Sequence, residues 1–140
     1  MKPLELQCAM GRIQLRRLQE FKDARRLNFH RLSRAFAASK TFDLIGPIPN
    51  SDPCWFSFPL LVTRNNRGEI MQTFEDQNIE TRTVFSGNIL KHPAYKDVDV
   101  IQIGDLKNAD IIMARGMFLS CHPSLTIEMV QHISDVGNKI

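Results

Sequence analysis

Apolar side chains recur at helical spacing along the first part of the chain. The stripe, in alternating steps of four and three, consists of Leu4, Cys8, Gly11, Leu15, Leu18, Phe29, Leu32 and Phe36. It is interrupted at Lys22 and Arg25, so the pattern predicts either two helices that meet near residues 18–21 or one long helix that changes its partner there. Pro3 is typical of a first helical turn, and Gly11 indicates close approach of another backbone. We therefore expect this segment to pack against something large.

Shorter periodic runs, separated by turn residues, follow a predicted loop over residues 38–53. They predict a strand over 55–62, a turn over 65–68, a helix over 69–77, a strand over 80–85, a helix over 105–115 ended by Gly116, a strand over 117–120, and a last helix capped by Thr126. Pro59 favours an edge or bulged position for the first strand. The last helix is expected to turn Met129, Val130, Ile133 and Val136 inward.

This order of elements predicts an α+β fold, an α/β sandwich in which helices pack on one small antiparallel or mixed sheet. A long helical region opens the chain. We assign residues 1–37 to an N-terminal helical segment and residues 38–140 to a small C-terminal α/β domain.

Composition indicates a globular protein. The 140 residues are 43% hydrophobic and 24% charged, which suits one domain. Cys8, Cys54 and Cys121 cannot all pair and show no CxxC spacing, so we expect a reducing cytoplasm and no metal site. The chain has neither an apolar run of about 18 residues nor the apolar core of a signal peptide, so a membrane partner is not expected.

The net charge of +3 is distributed unevenly. Residues 1–40 hold ten of the 18 lysines and arginines against three acidic residues. This asymmetry permits a nucleic-acid-binding helix between Arg12 and Arg34. The basic residues are spread around the helix without aromatic neighbours on which bases could stack, so we favour a solvated helix face.

Most catalytic motifs that a sequence can reveal are absent: the chain contains no GxSxG, GxGxxG, Walker loop or HExxH. The histidines lie far apart in sequence, and His30 and His132 are interpreted as surface residues of helices. Cys121 precedes His122, but neighbouring side chains on a strand point apart. We therefore assign Cys121 to packing.

One segment carries candidate binding chemistry. A predicted strand delivers Arg82 into the turn Ser86, Gly87 and Asn88, where glycine permits positive φ and polar groups are free to bind an anion or hydroxyls. Arginine can grip a phosphate or carboxylate with two hydrogen bonds, and asparagine can donate and accept toward a sugar. The alternative is that Arg82 pairs with a surface acid in an ordinary turn. The residues alone leave both interpretations open.

At these residues the sequence resembles the DegT/DnrJ/StrS family of nucleotide-sugar aminotransferases and 3-dehydratases, which depend on pyridoxal phosphate (PLP) and have the aspartate aminotransferase fold. The matching residues, in order, are Lys2 to Gln7, Ala9, Gly11, Gln14, Leu15, Leu18, Phe21, Arg25, Arg26, Asn28, Phe29, Trp55, Phe56, Phe58, Pro59, Ile79 to Arg82, Asn108 to Asp110, His122, Pro123, Leu125 and Thr126. The resemblance covers practically the whole chain and corresponds to the family's C-terminal part.

The turn at Ser86 to Leu90 is similar to the Gly-Asn turn of the 3-dehydratases, whereas many family aminotransferases have a histidine in a Pro-Leu-His turn there. The resemblance therefore favours an enzyme that removes the C3 hydroxyl of a nucleotide-linked 4-keto-6-deoxy sugar. It implies chemistry on a pyridoxamine phosphate (PMP) adduct, with a histidine in place of the Schiff-base lysine. The alternative in the same family is an aminotransferase that keeps the lysine.

The resemblance further implies that the cofactor is held by a large N-terminal domain absent from this chain, to which residues 1–37 connect. No cofactor is expected on the isolated chain, which should be inactive, and the complete enzyme is expected to be a homodimer. The resemblance assigns candidate substrate contacts to Arg82, Ser86, Gly87, Asn88, His92 and His122. The alternatives of another class are a nucleic-acid-binding module or an association domain that uses the apolar stripe.

Overall fold

The computed structural model describes residues 4–64 and 66–140. Its helices are α1 (Glu5–Arg16), α2 (Leu18–Phe36), α3 (Arg67–Glu75), α4 (Lys107–Arg115) and α5 (Ile127–Gly137), and its strands are β1 (Phe42–Leu44), β2 (Ser57–Val62), β3 (Arg82–Thr83) and β4 (Gly116–Ser120). Lys2, Pro3 and Asn65, to which the sequence assigned roles in the first helix and a turn, lie outside the described residues. None of the helices in the described part has the length and apolar character to cross a membrane.

The opening helical region is two helices that meet at Arg17, as one of the two sequence interpretations predicted. Arg17 has φ −93° and ψ 0°, and separates α1 from α2. The second half of α2 enters the core through Phe29, Leu32 and Phe36. In contrast, α1 has no buried residue among those described. Its apolar side chains, such as Leu15 at 69% exposure, face outward in this chain.

The strands form one antiparallel sheet in the order β1-β2-β4-β3, so the predicted sheet class is confirmed in its antiparallel form. Strand β1 was missed, because it lies inside the predicted loop over 38–53. It is only three residues long and pairs Phe42 with Val62, too short a run to show a period. The predicted strand over 80–85 shrinks to two residues, Arg82 and Thr83.

The prediction that Pro59 marks an edge or bulged strand was wrong, because β2 lies between β1 and β4 and its register with β4 is uninterrupted. The physical reason that proline is tolerated is the length of β1. Its last residue, Leu44, pairs with Leu60, so at Pro59 the strand is paired only with Phe118 of β4. A missing backbone N–H costs no ladder hydrogen bond on the side where no strand lies.

The core lies between one face of the sheet and helices α2, α3 and α5. Phe58, Leu60 and Val62 of β2 alternate inward, and Met117 and Leu119 of β4 join them. From the helices come the fully or nearly fully buried side chains of Leu32, Phe36, Ile70, Phe74, Val130, Ile133 and Val136. Met129 was wrongly predicted to point inward and is 52% exposed. It lies about 100° around the helix from Val130, outside the buried stripe.

Within residues 4–64 and 66–140, the other face of the sheet is covered at one end only. Ser57, Pro59, Phe118 and Ser120 point to this face, because they alternate with the buried residues of their strands. Helix α4 packs over the end at Gly116, where a β-carbon would lie 2.5 Å from the carbonyl oxygen of Ile112. The opposite end of this face stays open and forms a groove.

Candidate functional site

The open end of the sheet forms a groove of about 590 Å³, called the first groove, which is lined by strands β2, β3 and β4 and the ends of neighbouring segments. Its charged and polar lining includes Arg25, Glu80, Arg82 and His122, and its walls include the rings of Phe56, Phe85 and Phe118. A groove of this volume, with apolar walls and a few convergent polar groups, has the usual properties of a small-molecule site.

Arg82 is presented to the first groove by the strand that contains it. The preceding Thr81 is buried and its hydroxyl donates to a carboxylate oxygen of Glu75 on α3, 2.7 Å away. The next residue therefore points to the open face, where Arg82 lies opposite Phe118. The sequence predicted a binding role for Arg82, and in the fold Arg82 lines this groove.

The pairing of Arg82 with a surface acid, the alternative that the sequence left open, is also present. Its Nε donates to Oε1 of Glu80 at 2.9 Å, and its Nη2 contacts the same oxygen. The two side chains are 69% and 73% exposed. An exposed ion pair contributes at most about 1 kcal/mol, so a phosphate or carboxylate can compete with Glu80 for the guanidinium.

His122 lies at the edge of the first groove, directly after the buried Cys121. The side chain of Asn28 donates to the His122 carbonyl oxygen at 2.9 Å, which ties this loop to α2. The backbone N–H of Ser124 donates to Nδ1 of His122 at 3.2 Å. Because a backbone N–H can only donate, Nδ1 is the acceptor and the ring proton is on Nε2. His122 can therefore donate from Nε2 to a ligand.

Cys121 has the packing role that its sequence context predicted. It is fully buried, and its thiol donates to the carbonyl oxygen of Trp55 at 3.3 Å. Burial raises the pKa of the Cys121 thiol, partly opposed by the positive charge of Arg25. A neutral thiol inside the core is a poor nucleophile.

Three phenylalanine rings line the first groove, two of them exposed and the third, Phe118, partly buried. Phe56 is 63% exposed and Phe85 is 79% exposed, and the Phe118 ring lies between them at centroid distances of 5.6 Å and 6.1 Å. Arg25 holds one wall in place by donating from Nη1 to the carbonyl oxygen of Phe56 at 2.7 Å. Exposed aromatic faces can stack on a sugar ring or a planar base.

The other four residues predicted as substrate contacts form a closed turn against α4. Nε2 of His92 donates to the carbonyl oxygen of Ser86 at 2.7 Å. Gly87 has φ +62° and lies so close to Met113 that a β-carbon would be 2.5 Å from the methionine Cβ. Asn88 is buried, and both ends of its amide are used within the chain, by the Leu90 N–H and the Asp110 carboxylate. Of the six predicted contacts, the fold brings only Arg82 and His122 to the first groove.

The carboxylate of Asp110 connects this turn to α4. It accepts from Asn88 at 2.7 Å and pairs with Lys91 at 2.9 Å. The hydrogen bonds from Lys91 and then from Asn88 hold the pKa of Asp110 below its usual value. The charged carboxylate is therefore the form that stabilises the turn.

A family model for the DegT/DnrJ/EryC1/StrS aminotransferase family matches residues 1–136. The chain belongs to this family. Among curated relatives, it is 32% identical over 136 residues to the dTDP-4-dehydro-2,6-dideoxy-D-glucose 3-dehydratase of Saccharopolyspora spinosa, with 95% of this chain and 29% of that protein covered. It is 31% identical over 137 residues to the lipopolysaccharide biosynthesis protein RfbH of Salmonella typhimurium, with 95% of this chain and 31% of that protein covered.

Solved structures confirm the predicted fold. The E. coli GDP-4-keto-6-deoxy-D-mannose-3-dehydratase with bound hydrated PLP superposes with a TM-score of 0.88 at 23% identity, with 98% of this chain and 36% of that chain covered. This family member thus has the fold of the PLP-dependent sugar enzymes. The chain spans about a third of the length of the relatives it matches.

The groove of this chain does not fit PLP as a covalently held group. No lysine is found among the described residues that line it, so it offers no amine for a Schiff base. Nor do the described residues contain a cluster of three or more His, Cys, Asp or Glu side chains that could hold a metal ion. The guanidinium and imidazole donors of the groove instead suit an anionic or hydroxyl-rich ligand.

Sequence reasoning missed most residues that line the first groove, among them Arg25, Phe56 and Phe118. Phe118 could have been found, because the alternation of buried and open positions along a strand places it on the face opposite Met117. For Arg25 no local signal exists, since it is one of many arginines in the first two helices. Only the docking of α2 beside β2 brings it to the groove.

Proposed function

We propose that this chain is the substrate-contacting part of a PLP-dependent nucleotide-sugar 3-dehydratase. Residues 38–140 form the small C-terminal domain, and residues 1–37 connect it to a large domain that holds the cofactor. The substrate is a nucleotide-linked 4-keto-6-deoxy sugar that loses its C3 hydroxyl. The relatives named as 3-dehydratases support the reaction, and the first groove supports the role of this chain.

The observation that carries the proposal is the position of Arg82 beside the exposed rings of the first groove. In this role Arg82 donates hydrogen bonds to the sugar, and His122 donates from Nε2 at the edge of the groove. The phenylalanine rings stack on the ligand and exclude water from it. Ser86, Gly87, Asn88 and His92 act through the shape of the turn that follows β3.

The surrounding surface supports a larger assembly in the cytoplasm. The exposed apolar side chains of α1, including Leu4 at 68% and Leu15 at 69% exposure, suit burial against the large domain or the second subunit of a homodimer. Cys8 and Cys54 are exposed free thiols, which fits a reducing compartment. The isolated chain is expected to be inactive.

Ligand binding to the labelled 140-residue chain tests the role of the first groove. GDP-mannose and dTDP-glucose are stable nucleotide sugars, and binding of either should shift the amide resonances of residues 82–85 and 118–122. Arg82→Gln should weaken binding about tenfold, the value for one charge-assisted interaction. Arg64→Gln is the matched control, because Arg64 is exposed and follows the end of β2 that is remote from the groove. Equal affinities of the two variants would contradict the proposal.

A second test distinguishes the proposed dehydratase from an aminotransferase of the same family. Sequencing the coding region that precedes Met1 should identify a cofactor-binding domain. A histidine at its Schiff-base position supports the dehydratase, whereas a lysine supports the aminotransferase. If no such domain is encoded there or elsewhere in the same transcript, the proposed division of the enzyme is wrong.

A further inference from the structure

A second groove of about 580 Å³ opens on the other side of His122, between the junction of α1 with α2 and the loop 122–124. Its lining includes Gln14, Arg17, Glu20 and Phe21. Arg25 and His122 line both this second groove and the first groove. The two grooves therefore meet at a pair of hydrogen-bond donors, of which the arginine is always charged.

The guanidinium of Arg25 is anchored but not saturated. Its Nη1 donates to the carbonyl oxygen of Phe56 at 2.7 Å, and the guanidinium also interacts with the Cys121 thiol, through its charge and a hydrogen bond. A guanidinium has five N–H donors, so others remain for a ligand. His122 adds its Nε2 donor, because Nδ1 is occupied by Ser124.

Arg17 supplies a second guanidinium in the second groove. It lies over the ring of Phe21, with its Cζ 4.7 Å from the ring centroid. Its contacts to Glu20 are long, 3.4 Å for both nitrogens, and the two side chains are 52% and 65% exposed. An exposed ion pair at that distance contributes little free energy, so a more highly charged anion can replace Glu20 as the partner of Arg17. Among the described residues that line this groove, Glu20 alone carries a negative charge.

We propose that Arg17, Arg25 and His122 bind the diphosphate of a nucleotide sugar, with the sugar in the first groove and the nucleoside in the second. The inference rests on the proposed function and assigns the part of the ligand that each groove holds. A nucleotide sugar carries its charge between two uncharged ends, and the arginine donors lie at and beside the junction of two grooves of similar volume. Arginine is the residue best suited to such phosphate contacts.

The test compares nucleoside diphosphates with complete nucleotide sugars on the labelled 140-residue chain. GDP and dTDP alone should shift the amides of residues 14–21, His122 and Ser124 and the Nε resonance of Arg25. The amides of residues 82–85 should shift only with GDP-mannose or dTDP-glucose. Raising the salt concentration should weaken GDP binding, because its contacts are charged.

Arg17→Gln should weaken GDP binding about fivefold or more, as expected for a lost charge-assisted hydrogen bond. Arg12→Gln is the matched control, since Arg12 is exposed on the same helix region and lines neither groove. Arg25→Lys keeps the charge and a donor for Phe56, and should weaken GDP binding less than Arg25→Gln does. An equal effect of Arg12→Gln and Arg17→Gln would overturn the diphosphate assignment.

Failure of this inference is distinguishable from failure of the proposed function. If GDP shifts residues 82–85 and leaves residues 14–21 unchanged, the diphosphate assignment is wrong, while sensitivity of GDP-mannose binding to Arg82→Gln would still support the proposed function. If neither GDP nor the nucleotide sugars shift resonances in either groove at millimolar concentration, both are wrong.

Discussion

Replacing Gly87 by alanine tests how the turn after β3 is held against α4. Gly87 has φ +62°, and the new methyl carbon would lie 2.5 Å from Cβ and 2.6 Å from Cα of Met113. Those atoms belong to the helix backbone and its first side-chain carbon, so no rotamer change can relieve the contact. Either the turn or α4 must move.

The expected loss of stability has two parts. A non-glycine residue in the left-handed region costs about 1–2 kcal/mol. Forcing a methyl group into a packed contact adds about 1–3 kcal/mol. Together they predict a loss of about 2–5 kcal/mol, a large part of the roughly 5–15 kcal/mol that stabilises a typical domain.

Two other glycines separate these contributions. Gly104 has φ +78° with no atom within 4 Å of a β-carbon, so Gly104→Ala should cost only the backbone term of about 1–2 kcal/mol. Gly11 lies inside α1 with the same open surroundings, so Gly11→Ala should stabilise the chain by about 0.5–1 kcal/mol.

Urea unfolding followed by the fluorescence of the single tryptophan measures all three variants. Trp55 stacks on Phe29 at a centroid distance of 5.2 Å, so its emission reports the core. The free energy of unfolding follows from linear extrapolation. If Gly87→Ala and Gly104→Ala lose the same stability within about 0.5 kcal/mol, the packing argument for α4 is refuted.

Substitutions at three further positions test the core, a helix cap and a charge. Phe74→Ala should cost about 3–5 kcal/mol in urea unfolding, because Phe74 is fully buried; a loss below about 2 kcal/mol would contradict its place in the core. Thr126→Ala should lower the free energy of unfolding by about 1 kcal/mol, because the Thr126 hydroxyl accepts from the Met129 N–H at 3.3 Å. Thr126→Ser keeps the hydroxyl and should retain this stability. Asp110 has a lowered pKa in the folded chain, so its stabilisation is complete above the ordinary value of 3.8 and is lost as the pH falls through the lower folded value. The stability difference between the native chain and Asp110→Asn should therefore shrink between pH 6 and pH 2; an unchanged difference would refute this account.

The elements with a long, regular pattern could be predicted from the sequence. The periodic runs that became α2, α4 and α5 and the alternating run of β2 were predicted within a few residues, and Thr126 was recognised as a cap. Strand β1 could not be recognised, because its three residues acquire their conformation by pairing with β2. The position of Pro59 in an interior strand could not be predicted either, because it depends on the pairing of β1 with β2 and on the residue at which β1 ends.

The predicted site residues show the same difference between what a local pattern determines and what tertiary contacts determine. The sequence predicted a strand that carries Arg82, and in the fold this residue belongs to β3 and lines the first groove. The turn at Ser86 to Asn88 looked available for binding because Gly and Asn commonly serve ligands. The position of α4 makes Asn88 an internal partner of Asp110, and a linear sequence does not contain that contact.

The sequence by itself determined the helical and strand periods, the cap of α5, and an ordered set of residues that led to the family. Each depends on residues close together along the chain or on the order of motifs. Only the tertiary structure decided which side chains share a groove. Arg25 reaches the carbonyl oxygen of Phe56 across 31 residues, and Asn28 reaches that of His122 across 94. Such contacts arise when α2 packs against the sheet, and burial of the shared core supplies the free energy that holds them together.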